Sequence, residues 1–486
     1  MVFKEISLDD GRRLKDFLRE AGYDEDSLRQ QGHLKEPPSG RLRNLPRLLD
    51  RTREPNRLNT LLRLFWLGVP QPAARVALLP EWFTALARSV GLLHRAGDCL
   101  ASEAMLYPGE GVLSVCDHSA KLGPLETDFV LWPNQTSRML SRFTLRRPSR
   151  ATLDLGTGNA IQSLSAARHS EQVVATDLNP RAINYAKFAV ALNGLDNVEC
   201  LTGDGFAPVA GCKFDLIVCN PPFFISPSNR HSFCDNSMDL DQLCRRFVKE
   251  APEYLEEGGY FQVLCEWAQI RGQSWKERVT EWVEGSGCDA WILKVHTEDP
   301  ADYTQSQFSL ATASPDHDSE LYNEYIAYYR ERSVEAIHDG IIAIRRRSGR
   351  NWCVLEEFAE IPKEPFGESI LRTFAAQDFL QTHATDEQIL AEKLRLSPTC
   401  RLDQFFEPGN GAWQPTSLTL RLTKGFPFFA SLQPPVAELL SACDGSRTAG
   451  DLIQGFAQQV DAPLETVQSE CLGIIRGLVE RGFIVC

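Results

Sequence analysis

Residues 151–160 read Ala-Thr-Leu-Asp-Leu-Gly-Thr-Gly-Asn-Ala, an apolar strand running into a Gly156-x-Gly158 turn and then into a helix from Ile161 to about Arg168. Glycines at such a turn let the backbone bend tightly and approach a ligand closely. A Gly-x-Gly alone is weak evidence, and the third glycine of the dinucleotide fingerprint is missing here. The two strands after the turn carry more weight. The first of them, residues 172–176, ends in Asp177, and Leu178-Asn179-Pro180 then leads into a helix with Ala182, Tyr185, Ala186 and Ala189 on its inner face. An acid about 20 residues beyond the glycines is placed to accept hydrogen bonds from ribose hydroxyls. The second, residues 198–201, finishes at Gly203-Asp204-Gly205-Phe206. There Asp204 can accept from an adenine amino group and Phe206 can flank the ring. Strand after strand ending in a ligand-facing residue, with helices between, is the rhythm of an open parallel sheet.

The fourth strand, residues 214–219, ends in Asn220-Pro221-Pro222-Phe223-Phe224. Two prolines fix the backbone so that the Asn220 amide oxygen and the Pro221 carbonyl can point the same way. Two acceptors converging on one NH₂ group orient its lone pair, and Phe223 offers a flat face to a planar amide or base. Such a site works by proximity and dipole placement, without a dedicated general base. Residues 225–229 and 233–237 read as a substrate-facing loop. His231 within it is a candidate group, though a lone loop histidine is more often solvated. Gly258-Gly259 then turns into a fifth strand through Leu264.

Asp-Leu-Gly-Thr-Gly from Asp154, Asp177-Leu-Asn-Pro, Gly203-Asp204 and Asn220-Pro-Pro-Phe223 resemble the successive motifs of class I S-adenosylmethionine-dependent methyltransferases of the small-domain type, over roughly residues 125–350. The resemblance implies a Rossmann-like, seven-strand α/β domain. It implies S-adenosylmethionine as cofactor, held by Asp154, Gly156, Gly158, Asp177, Leu178, Asp204, Phe206 and Asn220. Gly156 and Gly158 would meet the methionine moiety, Asp177 the ribose and Asp204 the adenine. Asp154 would help hold the methionine ammonium through water or backbone. Asn220, Pro221, Pro222 and Phe223 would form the transfer site, and Asp128 and Gln135 sit where related enzymes form a lid. No metal is implied.

The tetrapeptide resembles those of enzymes that methylate glutamine in release factors, exocyclic amines of RNA, or adenine N6 in DNA. Phe at its fourth position is commoner among the RNA enzymes. RNA is therefore the favoured partner, with a release factor or other protein glutamine as the alternative. A small-molecule methyltransferase and a non-catalytic, cofactor-binding assembly factor stay open.

At 486 residues the chain has room for about three domains. Residues 1–95 read as a helical domain: Leu14, Phe17 and Leu18 share one face, as do Leu58, Leu61, Leu62, Phe65 and Trp66. Residues 96–360 hold the methyltransferase domain with short lead-in strands, including 111–116. Residues 361–486 end in helical patterns at 434–443, 449–459 and 464–482, with a Thr448 start signal and a short closing strand, a winged-helix-like order. The fourteen cysteines lack metal-ligand spacing and read as reduced thiols. The charged amphipathic start is no secretory signal and no run approaches a membrane span, so a cytoplasmic protein with no membrane partner is expected. Net charge is −14, which excludes a generally basic coat protein. Local basic stretches nevertheless run through residues 29–63, at Arg142/Arg146/Arg147/Arg150 and at Arg345/Arg346/Arg347/Arg350. A phosphate backbone responds to that local field.

Overall fold

In the computed structural model, which describes residues 3–31, 41–121, 127–227, 235–308, 315–358, 361–362 and 364–485, contacts divide the chain into two units. One comprises residues 1–141 with 147–359, the other residues 142–146 with 360–486. The first begins with α1 (Leu8–Glu20), α2 (Glu25–Gln30), α3 (Arg41–Arg51) and α4 (Arg57–Leu61), the last continued by a π-helical turn, Leu62–Trp66. Strand β1 (Gln71–Pro72), α5 (Ala73–Val76) and α6 (Glu81–Ser89) come next. After them stand β2 (Leu93–Ala96), β3 (Cys99–Ser102) and the hairpin β4 (Met105–Gly109) with β5 (Val112–Cys116).

After α7 (Gln135–Phe143) comes the alternation expected from the sequence. It runs β6 (Ser149–Leu155), α8 (Ile161–Ala166), β7 (Ser170–Asp177), α9 (Pro180–Leu192), β8 (Val198–Thr202), β9 (Phe214–Cys219), α10 (Gln242–Glu250) and β10 (Leu255–Ile270). It continues with α11 (Trp275–Val283), β11 (Cys288–Glu298), α12 (Pro300–Phe308), α13 (Pro315–Glu331), β12 (Val334–Arg346) and β13 (Cys353–Glu357). The sheet order is β13-β11-β12-β10-β9-β6-β7-β8. Strands β6 to β10 pair in parallel, and β12 runs antiparallel between β10 and β11. Because β6 lies between β7 and β9, the strand order reverses there and opens a crevice at the carboxyl ends, where such sheets bind ligands.

The sheet has eight strands where seven were expected. The addition is β13, an edge strand parallel to β11. Its five residues are exposed or half-buried, so it lacks the apolar run by which a buried strand announces itself.

One hydrophobic core runs across residue 95. Leu14, Phe17 and Leu18 of α1 and Leu61, Leu62, Phe65 and Trp66 pack in the same cluster as Ala182, Tyr185, Ala186 and Ala189 of α9. The N–H of Phe3 donates to Asn184 Oδ1 at 2.7 Å, and Asn184 Nδ2 returns a bond to the Phe3 carbonyl at 2.9 Å. Gly11 is the point of closest approach: a Cβ there would sit 1.9 Å from the Ala191 carbonyl oxygen.

A buried ion cluster fixes the end of β5 to the start of α9. Asp117, fully buried, accepts both Arg181 Nη atoms at 2.6 and 2.5 Å, the Tyr185 hydroxyl at 3.1 Å and the Val130 N–H at 2.8 Å. Burial opposes the Arg181 charge, but the Asp117 bond together with the charges of Asp117, Tyr185 and Asp128 outweighs it and holds the guanidinium pKa above its ordinary value.

The second unit contains α14 (Gly367–Thr382), α15 (Asp386–Ala391), β14 (Arg395–Leu396) and an antiparallel sheet of β15 (Cys400–Gly409), β16 (Ala412–Leu422) and β17 (Phe429–Leu432). The three expected helices are α16 (Pro434–Ser441), α17 (Ala449–Gln459) and α18 (Leu464–Glu480), and the terminal strand is β18 (Ile484–Val485). Thr448 caps α17, its hydroxyl accepting the Asp451 N–H at 3.1 Å. The sheet before these helices has no signature in the sequence: β15 and β16 are largely exposed and show no buried period. Among the described residues no helix is long and apolar enough to cross a membrane.

Two substitutions test this packing by chemical denaturation. Gly11→Ala, favourable by roughly 0.5–1 kcal/mol in an open helix, is expected here to destabilise by about 1–3 kcal/mol through overpacking. Arg181→Ala leaves Asp117 buried without its counter-ion and is expected to cost about 3–5 kcal/mol.

Candidate active site

The glycine turn leaves β6 with Gly156 at φ 76° and Gly158 at φ 52°, conformations that favour glycine. A Cβ at either position would meet nothing within 4 Å, so the turn faces open space. Asp154, buried beneath it, is committed to the turn itself. Its Oδ2 accepts the Thr157 hydroxyl at 2.7 Å, the Ser163 hydroxyl at 2.6 Å and the Ser163 N–H at 2.9 Å. Burial pushes its carboxyl pKa up against the pull of those bonds.

At the end of β7, Asp177 bridges two turns. Its Oδ2 accepts the Gly158 N–H and its Oδ1 the Asn179 N–H, both at 2.8 Å. Each oxygen keeps acceptor capacity for a further donor. Burial raises its pKa, and the two backbone donors oppose the shift. Leu178 beside it is 68% exposed, an apolar face left open at the same strand end. Asp204, after β8, is exposed and receives Arg246 Nη1 at 3.0 and 3.2 Å.

Phe206, expected to flank an adenine ring, is placed in the core instead. It is 2% exposed, stacked on Tyr254 at 4.4 Å and edge-on to Phe247 at 6.1 Å. An aromatic ring so close to α10 gains more from apolar burial than from a rim position.

Asn220 stands at the end of β9. Its Nδ2 reaches Thr136 Oγ1 at 3.4 Å, while its Oδ1 is buried with no hydrogen-bond partner among the described residues. An unsatisfied buried acceptor costs about 1–3 kcal/mol, so a donor arriving there is favoured. The Pro222 carbonyl is taken by Asn236 Nδ2 at 2.8 Å. Phe223 is half-buried against the core, its ring 5.7 Å from that of Phe224. Open space at the glycine turn, carboxylates at two neighbouring strand ends, an exposed leucine and an orphaned amide oxygen together fit a nucleoside-bearing methyl donor and an amine acceptor.

Residues 128–137 cross the same strand ends. Asn134 caps α7, accepting the Ser137 N–H at 3.0 Å and the Thr136 hydroxyl at 2.7 Å. Asn159 Nδ2 donates to the Leu131 carbonyl at 2.8 Å, Gln162 Nε2 to that of Ser137 at 2.7 Å and Asn179 Nδ2 to that of Asp128 at 2.9 Å. Asp128 is thus brought to the site by its backbone, and Gln135 sits exposed at the start of α7. Thr136, Asn159 and Gln162 stand at the candidate site without having been picked out from the sequence. Of these, only Asn159, directly after the glycine turn, carries a local signal. His231, Phe233 and Cys234 lie outside the described residues.

Several arginines of the basic stretches are held by internal partners. Arg345 and Arg347 reach Asp289 at 2.5 and 2.6 Å, and Arg150 reaches Asp215 and Glu256 at 3.7 and 3.4 Å. Both groups lie where β6, β10 and β11 begin, the end of the sheet away from the crevice. In the first stretch Arg29 pairs with Glu25, and Arg63 donates to the carbonyls of Leu49 and Thr52.

The methyltransferase small domain family matches residues 134–277, and a domain of unknown function, DUF7782, matches residues 372–486. A putative protein N5-glutamine methyltransferase of Methanocaldococcus jannaschii is 30% identical over 139 residues, 27% of this chain and 70% of that protein. Ribosomal RNA small subunit methyltransferase C of Alcanivorax borkumensis is 29% identical over 213 residues, 42% of this chain and 61% of that one. A release factor glutamine methyltransferase of Deinococcus radiodurans is 34% identical over 231 residues, 40% of this chain and 80% of that one. With these relatives and the strand-end geometry in agreement, the chain belongs to the class I S-adenosylmethionine-dependent methyltransferases of the small-domain type.

Proposed function

We propose that this enzyme methylates a planar amino nitrogen and that Asn220, Pro221, Pro222 and Phe223 form its transfer site. The observation that carries the reading is the buried, unpartnered Oδ1 of Asn220 at the end of β9. With the Pro221 carbonyl it accepts the two hydrogens of an NH₂ group, which turns the nitrogen lone pair toward the crevice. Phe223 stacks on the conjugated plane, and Pro222 holds the turn. S-adenosylmethionine supplies a methyl group activated by its sulfonium. Gly156 and Gly158 receive its methionine part, Asp177 the ribose hydroxyls, Asp204 the adenine amino group, and Leu178 covers the adenine face. Asp154 serves this site by keeping the glycine turn in shape. Rate then comes from orientation and fixed dipoles rather than from a strong base.

An exocyclic amine of RNA is the acceptor we favour. Phe rather than Tyr at position 223, the exposed Arg51 of α3 and the ribosomal RNA relative support it. A protein glutamine is the second reading, supported by the glutamine methyltransferases among the relatives, which outnumber the ribosomal RNA enzyme, and by the internal pairing of Arg345, Arg347 and Arg150. Both acceptors are cytoplasmic, which is where we place the chain. Residues 361–486 we read as a winged-helix-like module for substrate contact, on α16, α17, α18 and the pairing of β18 with β14.

The test is transfer of tritiated methyl from labelled S-adenosylmethionine into RNA, DNA and release factors, each prepared from cells lacking the protein. Asn220→Ala is expected to lower turnover on the order of 100- to 1,000-fold, a far larger change than in cofactor affinity by calorimetry. Label in RNA alone supports the first acceptor, and label in release factors moves the assignment to glutamine. Silence in all three pools, with cofactor bound, would sink both and leave a small molecule or a non-catalytic role.

A further inference from the structure

Helices α12 and α13 are inserted between β11 and β12, and their tyrosines converge on the segment just past the transfer tetrapeptide. Ile225, two residues after Phe223, is fully buried. Its N–H donates to Tyr303 Oη of α12 at 3.1 Å. The Tyr303 hydroxyl in turn donates to Glu266 Oε2 of β10 at 2.5 Å. From α13, the Tyr329 hydroxyl donates to the Ile225 carbonyl at 2.6 Å. Both backbone polar groups of one residue are therefore held by phenols from two different helices. Tyr303 and Tyr329 are themselves buried and touch edge-to-face at 6.3 Å, within a cluster that includes Ile225, Ala268, Leu321 and Ile337.

Glu266 has no exposed role to explain it. It is 6% exposed and stands directly across from Asp339 of β12. Burial drives its carboxyl pKa well up, the Tyr303 bond opposes this and the nearby Asp339 adds to it. A buried acid is costly unless bonded, and the hydroxyl that bonds this one is the same that grips Ile225. Only Phe224 separates Ile225 from Phe223, and Pro221 and Pro222 leave the backbone between Phe223 and Asn220 little freedom, so a shift at Ile225 is passed to both.

We propose that Tyr303 and Tyr329 are positioning residues for methyl transfer: they lock Ile225 so that Asn220 and Phe223 present one geometry to the acceptor amine, with Glu266 orienting the Tyr303 hydroxyl. This rests on the N-methyltransferase reading above. It assigns a task to the inserted helices that the tetrapeptide does not contain. The clamp acts on the acceptor side, since neither tyrosine touches Asp177, Asp204 or the glycine turn.

The experiment compares full-length wild type with Tyr303→Phe, Tyr329→Phe and the double variant. Three quantities are read: S-adenosylmethionine affinity by calorimetry, kcat and KM for tritium transfer into RNA from cells lacking the protein, and amide hydrogen exchange along the chain. The double variant is expected to lose kcat on the order of 100-fold, the effect of a misplacement near 1 Å, with cofactor affinity unchanged. Exchange at Ile225 should accelerate while the central sheet keeps its protection, which shows the variant folded. Wild-type kcat in the double variant overturns the proposal. So does a general loss of protection with a parallel loss of cofactor binding, the mark of a merely structural role. If wild type and Asn220→Ala are equally silent on RNA, the acceptor reading fails instead. The Ile225 exchange rate then decides the clamp, and an unchanged rate overturns it.

Discussion

The carboxylate of Asp177 joins two turns that leave different strands of the sheet. One oxygen takes the Gly158 N–H from the turn after β6, the other the Asn179 N–H from the turn after β7. The parallel pairing of β6 with β7 ends at Leu155 and Thr176, which puts both turns at one height. The carbonyl of Thr176 also accepts the N–H groups of Gly156 and Thr157 at 2.9 and 2.8 Å. The shape of the crevice depends on this crossing of hydrogen bonds. The depth of the site depends on it too, because a carboxylate that satisfies backbone donors can be buried at tolerable cost.

Around that junction the protein is built by satisfying strand-end polar groups with side chains from elsewhere. Asp154 serves the turn from below, Asn159 and Gln162 tie residues 131–137 across it, and Asn179 holds Asp128. Two side-chain atoms of this network stay without a partner among the described residues, the Thr176 hydroxyl and Asn220 Oδ1, and of the two only Asn220 Oδ1 is an amide acceptor that needs a donor. Each paired group contributes roughly 1 kcal/mol, while an acceptor left buried without a donor costs about 1–3 kcal/mol, so Asn220 adds nothing to stability through that oxygen.

Charge is organised differently from what the sequence suggests. Several arginines of the runs that look like a phosphate-binding surface are matched with acids: Asp289 takes Arg345 and Arg347, and Asp215 and Glu256 take Arg150, while Arg51 and Arg53 stay exposed. Linear proximity of like charges says nothing about the carboxylates that fold against them, and a fully buried acid such as Asp289 requires such partners.

Much of the candidate site's placement was legible in the sequence because its signals are local. An apolar run followed by glycine, acid or Asn-Pro-Pro gives a strand, its end and the group displayed there, within a few residues. That local logic placed Gly156, Gly158, Asp177, Asp204 and Asn220 at the ends of β6, β7, β8 and β9. It also placed the three helices of residues 434–480. It failed for Phe206, where burial is set by Tyr254 and Phe247, and for β13 and the exposed β15–β16 hairpin, which have no buried period. What only the tertiary structure decided are pairings between distant segments. Asp117 and Arg181 are 64 residues apart, Tyr303 and Ile225 are 78 apart, and Thr136 and Asn220 are 84 apart. No spacing rule encodes these bonds, because sheet order and the packing of inserted helices set the distance between their atoms.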